Sequence, residues 1–292
     1  MSRRRIALRH HGRGFSLVEL AVVMTIVAFL LGGLIYTLSA QTEQRNFEET
    51  RRRLEQAREL LFAFAITNGR LPCPARSVAT AAPATVAGDE VVTTATGCIG
   101  DGITDYYGGV NGGTTLGLLP ARSLGFQQVD SSGFAVDAWG NRIRYAVSGV
   151  TPTNCSGSST TPHFVNATNF KGNGISCQPN DLLICKTTNV APVPSSPTPS
   201  TPTCGGPIAG ANQIMTKSLV VAIIFSTGKN GSAGTTGADE AANLNGAGNV
   251  DPVFVYHTPT TIDAAGGEFD DQFVWITVGE LYGRMIAAGV LP

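Results

Sequence analysis

Charge is scarce in this chain. Asp, Glu, Lys and Arg make up 14% of its 292 residues, while 42% are hydrophobic and there are 35 Gly and 16 Pro. With Ser and Thr also abundant, this composition points away from a helical cytosolic enzyme and toward a loop-rich, mostly β head. Basic charge is scarcer still once its distribution is considered. Arg3, Arg4, Arg5, Arg9 and Arg13 crowd the first fourteen residues with no acid beside them, so the rest of the chain holds fifteen basic residues against 21 acidic ones. A body of that sign gives no electrostatic reason to bind nucleic acid.

Catalytic groups are also thin. Beyond the first fourteen residues the only histidines are His163 and His257, neither with a Ser or Cys partner in view, and no G-x-S-x-G elbow occurs. Ser226-Thr227-Gly228-Lys229 imitates a phosphate loop, but Ile223 stands where its first Gly belongs and Asn230 replaces the final Ser/Thr. It reads as a turn after a strand. Asp101-Gly102-Ile103-Thr104-Asp105 has calcium-like oxygen spacing without the downstream Glu, and reads as a surface turn. The expectation is that the protein is not an enzyme. The six cysteines, Cys73, Cys98, Cys155, Cys177, Cys185 and Cys204, lack C-x-x-C spacing, which argues against a zinc site. An even number, all on one side of the apolar segment described next, suggests disulfides in an oxidising compartment. Six cysteines allow fifteen pairings. Cys185 with Cys204 is the preferred local pair, tying off the proline-rich run 192–202, and buried free thiols are the alternative.

What the sequence does have is one long apolar run. Residues 15–38 contain a single group charged at neutral pH, Glu19. As a helix the run would be about 36 Å long, enough to cross a hydrocarbon core of about 30 Å. The five preceding arginines keep the N-terminus cytoplasmic and export the rest. A secretory signal would be shorter, and Leu38-Ser39-Ala40 is a poor cleavage site. A plain signal anchor fits the length but leaves Glu19 unexplained. A carboxylate in a membrane helix costs about 2.5–3.5 kcal/mol at the helix centre and less near the interface, and the segment itself supplies no evident partner.

Gly14-Phe15-Ser16-Leu17-Val18-Glu19-Leu20, following a basic leader, resembles the type IV prepilin signature. The resemblance implies that a membrane prepilin peptidase cuts between Gly14 and Phe15 on the cytoplasmic side and N-methylates Phe15. It also implies that Glu19 pairs with the terminal amine of a neighbouring subunit during assembly, which offsets the desolvation of both charges. Tyr36 stands where many major pilins carry Pro, so no proline break is encoded. Gly32-Gly33 could weaken the helix or serve close helix packing.

Residues 41–65 are rich in helix formers, with Phe47, Leu54 and Leu61 seven apart and Ala57 and Phe64 beside them. Asn68-Gly69, Pro72 and Pro74 mark a stop. Arg51-Arg52-Arg53 reads as a solvated face. Beyond the helix, Asp137-Ala138-Trp139-Gly140-Asn141 reads as a tight turn with Trp139 as packing anchor, and it resembles the post-helix region of type II secretion pseudopilins. Strands are expected over 143–148, 163–165, 182–185, 217–226, 253–257 and 272–277, a loop over 227–250, and a closing helix over 279–288.

The acid-rich loop Asp263, Glu268, Asp270 and Asp271, with Asp239, Glu240 and Asp251 in the neighbouring sequence, offers oxygen ligands. In several type II secretion major pseudopilins a comparable loop binds calcium. That likeness makes Asp270 and Asp271 a candidate calcium site, against the alternative of a capped or solvated turn. No other cofactor is expected.

The fold expected is therefore α+β and type IV pilin-like. A long N-terminal helix, membrane-spanning in its first half, would pack on an antiparallel β-sheet head with a loop-rich, disulfide-tied insertion. The divisions are a leader at 1–14, a transmembrane half-helix at 15–38, a periplasmic half-helix at 39–68, and a head at 69–292 with its insertion at 149–213. The function expected is that of a minor pilin or pseudopilin in a type IV pilus-like or type II secretion filament. It would sit in a bacterial inner membrane, N-terminus cytoplasmic and head periplasmic. Its partners would be other pilins, the prepilin peptidase, the assembly platform and membrane lipid. The alternative is a membrane-tethered adhesin or DNA-uptake pilin.

Overall fold

The computed structural model describes residues 16–77, 86–93, 97–98, 104–111, 114–149, 163–187, 204, 211–231, 237–244, 252–264 and 266–291. Side chains 31 and 33–39 are outside that set, as are Gly14, Phe15, Cys155 and Asp251. The chain divides into two compact units, 1–46 and 47–292. In chain order the elements are α1 (Leu17–Asn68), β1 (Val92–Thr93), β2 (Gly97–Cys98), α2 (Thr104–Tyr107), β3 (Gly109–Asn111), β4 (Thr114–Leu116), α3 (Ala121–Leu124), β5 (Arg144–Val147), α4 (Ala167–Asn173), β6 (Leu183–Cys185), β7 (Gln213–Met215), β8 (Val220–Ser226), α5 (Ala238–Asn243), β9 (Val253–Val255), β10 (Gln272–Thr277) and α6 (Val278–Ala287).

In the first unit, α1 is uninterrupted through Gly32-Gly33. Leu17, Val18, Leu20, Val22, Val23, Met24, Ile26, Val27, Phe29 and Leu30 are all exposed. Apolar side chains on every face of a helix are stable only where lipid or other chains cover them. Among the described residues, no helix is long and apolar enough to cross a membrane. The expected span at 15–38 includes residues outside the described set.

The second unit is built around β8. All seven of its residues are buried, because it is the middle strand of an antiparallel sheet ordered β10-β8-β5 and is covered on both faces. On one face Tyr145, Val147, Ala222, Ile224 and Ile276 meet Leu54, Ala57, Leu61, Phe62 and Ala65 of α1 and Leu281 and Met285 of α6. On the other, Ala146, Ile223, Phe225 and Phe273 meet Ile184, Phe254 and Val255 of a second sheet ordered β7-β6-β9. Period-two alternation of the strands sends successive side chains to the two layers. Each fully buried Leu or Phe contributes about 1.5–3 kcal/mol. The pairing of β6 with β9 is parallel, so the second sheet is mixed, while the main one is antiparallel throughout.

Polar contacts fix α1 from Phe47 onward. The Phe47 ring meets Trp139 edge-on at 4.9 Å, and Ala138 N donates to Thr50 Oγ1 at 3.1 Å. Arg53 donates to the carbonyls of Val136 and Asp137 at 3.0 and 2.6 Å, so it is a clamp and not the solvated residue expected. Arg52 has the expected exposure and pairs with Glu49. Further along α1, Arg58 pairs with Glu280, and Arg284 forms two bonds of 2.8 and 2.9 Å to Glu59, joining α6 to α1. In the turn between α3 and β5, Asp137 Oδ1 accepts from Trp139 N and Asn141 N, while Oδ2 accepts from Ser226 Oγ at 2.6 Å. The D-x-W-G-N turn is thereby tied to the end of β8.

Cys73 is bonded to Cys98 and Cys185 to Cys204, the latter being the pair preferred on sequence grounds. Cys177 is also disulfide-bonded, and no described cysteine is free.

Two expectations fail. Residues 163–165 are a turn, not a strand, since Asn166 caps α4 by accepting from Asn169 N. The loop expected at 227–250 contains α5, whose first turn carries Asp239 and Glu240.

The 163–165 turn places His163 in the core beside Phe164 and Phe170. Tyr282 Oη donates to Cys177 O, so His163 Nε2, 3.1 Å away, is the donor to Tyr282. Nδ1 is buried without a partner. Burial lowers the imidazole pKa from 6.5 to about 4. Between those values the unfolded chain binds the proton and the folded one does not, so stability falls as pH drops from about 6.5 toward 4. The difference in melting temperature between the protein and His163→Gln should therefore shrink from pH 7.5 to pH 5; a constant difference would remove His163 from the acid response.

Candidate functional site: an N-terminal signal and a buried acid cluster

Two groups of residues stand out chemically. At the start of α1, Ser16 N and Oγ donate to Glu19 Oε2 at 2.9 and 3.0 Å, and Glu19 N donates to Ser16 Oγ at 3.2 Å. This is a reciprocal capping box, S-x-x-E, in which side chains satisfy the first orphan amides of the helix. The expectation that the segment supplies Glu19 with no partner is corrected here. The carboxylate reaches back to its own helix start, a position the macrodipole also favours. Ser16 engages Oε2 alone.

The second group lies where β8 ends and β10 begins. The turn after β8 passes through Gly228 at φ +62°, and a Cβ there would fall 1.8 Å from Asp270 Oδ1. The glycine lets this backbone close on the acid, whose Oδ2 accepts from Lys229 N at 2.8 Å. From α5, Glu240 Oε1 accepts from Asp270 N at 2.9 Å, and Asn230 Nδ2 donates to its Oε2, also at 2.9 Å. Asn243, one turn later, donates to Asp271 Oδ2 at 2.7 Å. Gly237 caps α5 where a Cβ would meet Glu268 O at 2.4 Å.

The result is three buried carboxylates, Glu240, Asp270 and Asp271, whose ligand-capable oxygens lie within 4.8 Å of one another. None of the three forms an ion pair among the described residues. Asp270 Oδ1, Asp271 Oδ1 and Asn230 Oδ1 are each buried without a hydrogen-bond partner. Burial, opposed by the Lys229 amide and reinforced by the charges of Glu240 and Glu268, pushes the Asp270 carboxyl up to about 6. Burial drives Asp271 well above the usual carboxylate range, with Glu240 and Asp270 adding to it against the Asn243 bond. Orphaned acceptors and crowded negative charge make a poor closed hydrogen-bond network but suit a hard cation that takes oxygen ligands.

Of the acids singled out in the sequence, Asp270 and Asp271 come together. Glu240, named only as a neighbour, joins them. Asp263 is exposed, and neither it nor Glu268 belongs to the cluster. Asp239 turns away to His257 Nε2 at 3.3 Å and Thr187 Oγ1 at 3.1 Å. Asn230 and Asn243 were missed. The Asp239-Glu240 pair opening a run of good helix formers was the available signal for α5.

A long helix packed on an antiparallel sheet, mixed α+β and disulfide-bonded, is consistent with a type IV pilin-like fold. Residues 9–35 match the prokaryotic N-terminal methylation motif, the type IV prepilin-type signal, and the chain fits a pilin or pseudopilin family. No curated protein and no solved structure matches it. The motif points to a structural protein anchored in a membrane, cell envelope or filament, processed by prepilin peptidase and assembled with other pilins.

Because three carboxyl groups are crowded into one buried place where ionising one opposes ionising the next, Glu240→Gln, which removes one ionisable group and keeps an acceptor, should raise the melting temperature in EDTA. Each kcal/mol gained corresponds to about 2–4 °C. A fall in EDTA would mean the cluster is not strained by its charge.

Proposed function

We propose that the protein is a minor pilin or pseudopilin, held in the bacterial inner membrane by a single N-terminal helix with its head in the periplasm. Prepilin peptidase releases residues 1–14 by cutting between Gly14 and Phe15 and methylates Phe15. The subunit then enters a filament through packing of α1. The observation that carries this reading is the prepilin-type signal running into a helix whose apolar side chains between Leu17 and Leu30 are exposed on every face. Such a surface is satisfied first by lipid and then by the helices of other subunits. Glu19 accepts the methylated amine of a neighbour, the Ser16 contacts holding its carboxylate at the helix start. A large head and Tyr36 in place of proline favour a minor subunit over a major one.

The test is Glu19→Ala. Membrane insertion and processing should persist while co-purification with filaments falls at least tenfold. Undiminished incorporation would overturn the assembly role and favour a membrane-tethered binder.

A second reading concerns the head, and the three orphaned oxygens favour it. Glu240, Asp270 and Asp271, with the Asn230 amide oxygen, hold a calcium ion whose remaining ligands come from second carboxylate oxygens or water. The ion would neutralise the cluster and fasten the turn after β8 to the start of β10. Calcium at one hundred times its Kd should stabilise the full chain by about 2.7 kcal/mol, seen as a rise in melting temperature that Asp271→Asn abolishes. No response to calcium or magnesium would sink this reading.

A further inference from the structure

Helix α5 has six residues, far fewer than an isolated helix needs to persist in water. Its position is set by three buried side chains that point to different partners. Glu240 faces the main sheet, through Asp270 N and Asn230. Asp239 reaches the segments that follow β9 and β6, through His257 and Thr187.

Asn243 does both. Its Oδ1 accepts from Val255 N at 2.7 Å and its Nδ2 donates to Val255 O at 3.0 Å. These are the two bonds a neighbouring strand would make, and β9 is an outer strand of its sheet. The same Nδ2 donates to Asp271 Oδ2. One side-chain amide therefore closes the edge of the second sheet and holds an acid of the cluster, Asp271, just before β10 of the main sheet. Asparagine suits this position because it offers an acceptor and two donor hydrogens at once.

We propose that α5 is a cation-locked clasp between the two sheets, with Asn243 as the positioning residue that couples occupancy of the acid cluster to the order of β9. This rests on the calcium reading above. Without the ion, the clasp gathers three carboxylates in a buried place, and local opening relieves their repulsion. With the ion bound, opening that swings Glu240 away must also release it. The cost of opening then rises with ion concentration as for any ligand specific to the closed form. The second sheet, which carries the Cys185–Cys204 disulfide on β6, would be loose in the absence of calcium and firm in its presence. That makes its outer surface conditional on the ion.

The experiment is hydrogen exchange of the full chain in detergent, in EGTA and in calcium chloride, with calcium affinity measured on the same samples. Amides of 238–244 and 253–257 should exchange at least tenfold more slowly in calcium, approaching about a hundredfold at one hundred times Kd if every opening frees the ion. Those of β5 should not change. Asn243→Ala should bind calcium within about tenfold of the native affinity yet lose the slowing at Tyr256, whose N–H is donated to Cys185 O. Calcium binding with unchanged exchange in the native protein would overturn the clasp and leave the cation site standing, as would full slowing in Asn243→Ala. Absence of calcium binding by the native protein would overturn the cation reading, and the clasp with it.

Discussion

Because β8 has no solvent-facing residue, the head must carry a layer on each side of it. One layer is the second half of α1 with α6; the other is the sheet β7-β6-β9. Both meet side chains that alternate along the same seven residues, so whatever displaces β8 disturbs both cores at once. Polar chemistry is pushed to the ends of this strand. Its last residue, Ser226, is bonded to the Asp137 turn, and the turn that follows closes over Asp270. The acid cluster thus sits where the central strand runs out of neighbours to pair with and the backbone must reverse.

The chain shows two different answers to a carboxylate in apolar surroundings. Glu19 is satisfied locally, by the amide and hydroxyl of Ser16 at the start of its own helix. Asp270 and Asp271 are only partly satisfied, each with a donor at Oδ2 and none at Oδ1, while both oxygens of Glu240 accept hydrogen bonds beside them. The first arrangement engages one carboxylate oxygen at the helix start. The second leaves several oxygens converging on one point, a geometry that is costly without a cation and useful with one.

The clasp would connect these levels. A filament subunit is exported as a separate molecule and then assembled. A head whose outer sheet firms only when calcium is present would distinguish those settings without any change in covalent structure. The coupling is short in physical terms: one asparagine amide lies between the acid cluster and the edge of β9.

Much of the fold was legible in the sequence because its signals are local. The apolar run, the stripe Leu54, Ala57 and Leu61, the D-x-W-G-N turn and the β-branched run of β8 each reflect a residue's own conformational or solvation preference. So does the prepilin signature, whose meaning lies in adjacent residues. The box Ser16–Glu19 was equally local and was passed over because Glu19 was weighed only as a charge in lipid. Other features depended on which distant segments meet. Arg53 looks like a surface cation until the Val136 and Asp137 carbonyls arrive against it, and 163–165 looks like a strand until Asn166 caps α4. Asn230 lies in a turn, Asn243 in a helix too short to announce itself, and Asp270 and Asp271 near a strand start; nothing in their spacing brings them together. Sequence alone determined where the chain is apolar, where it turns and how it begins. Only the tertiary structure decided which acids share a site, because that depends on two sheets packing against one strand and on the backbone closing at Gly228.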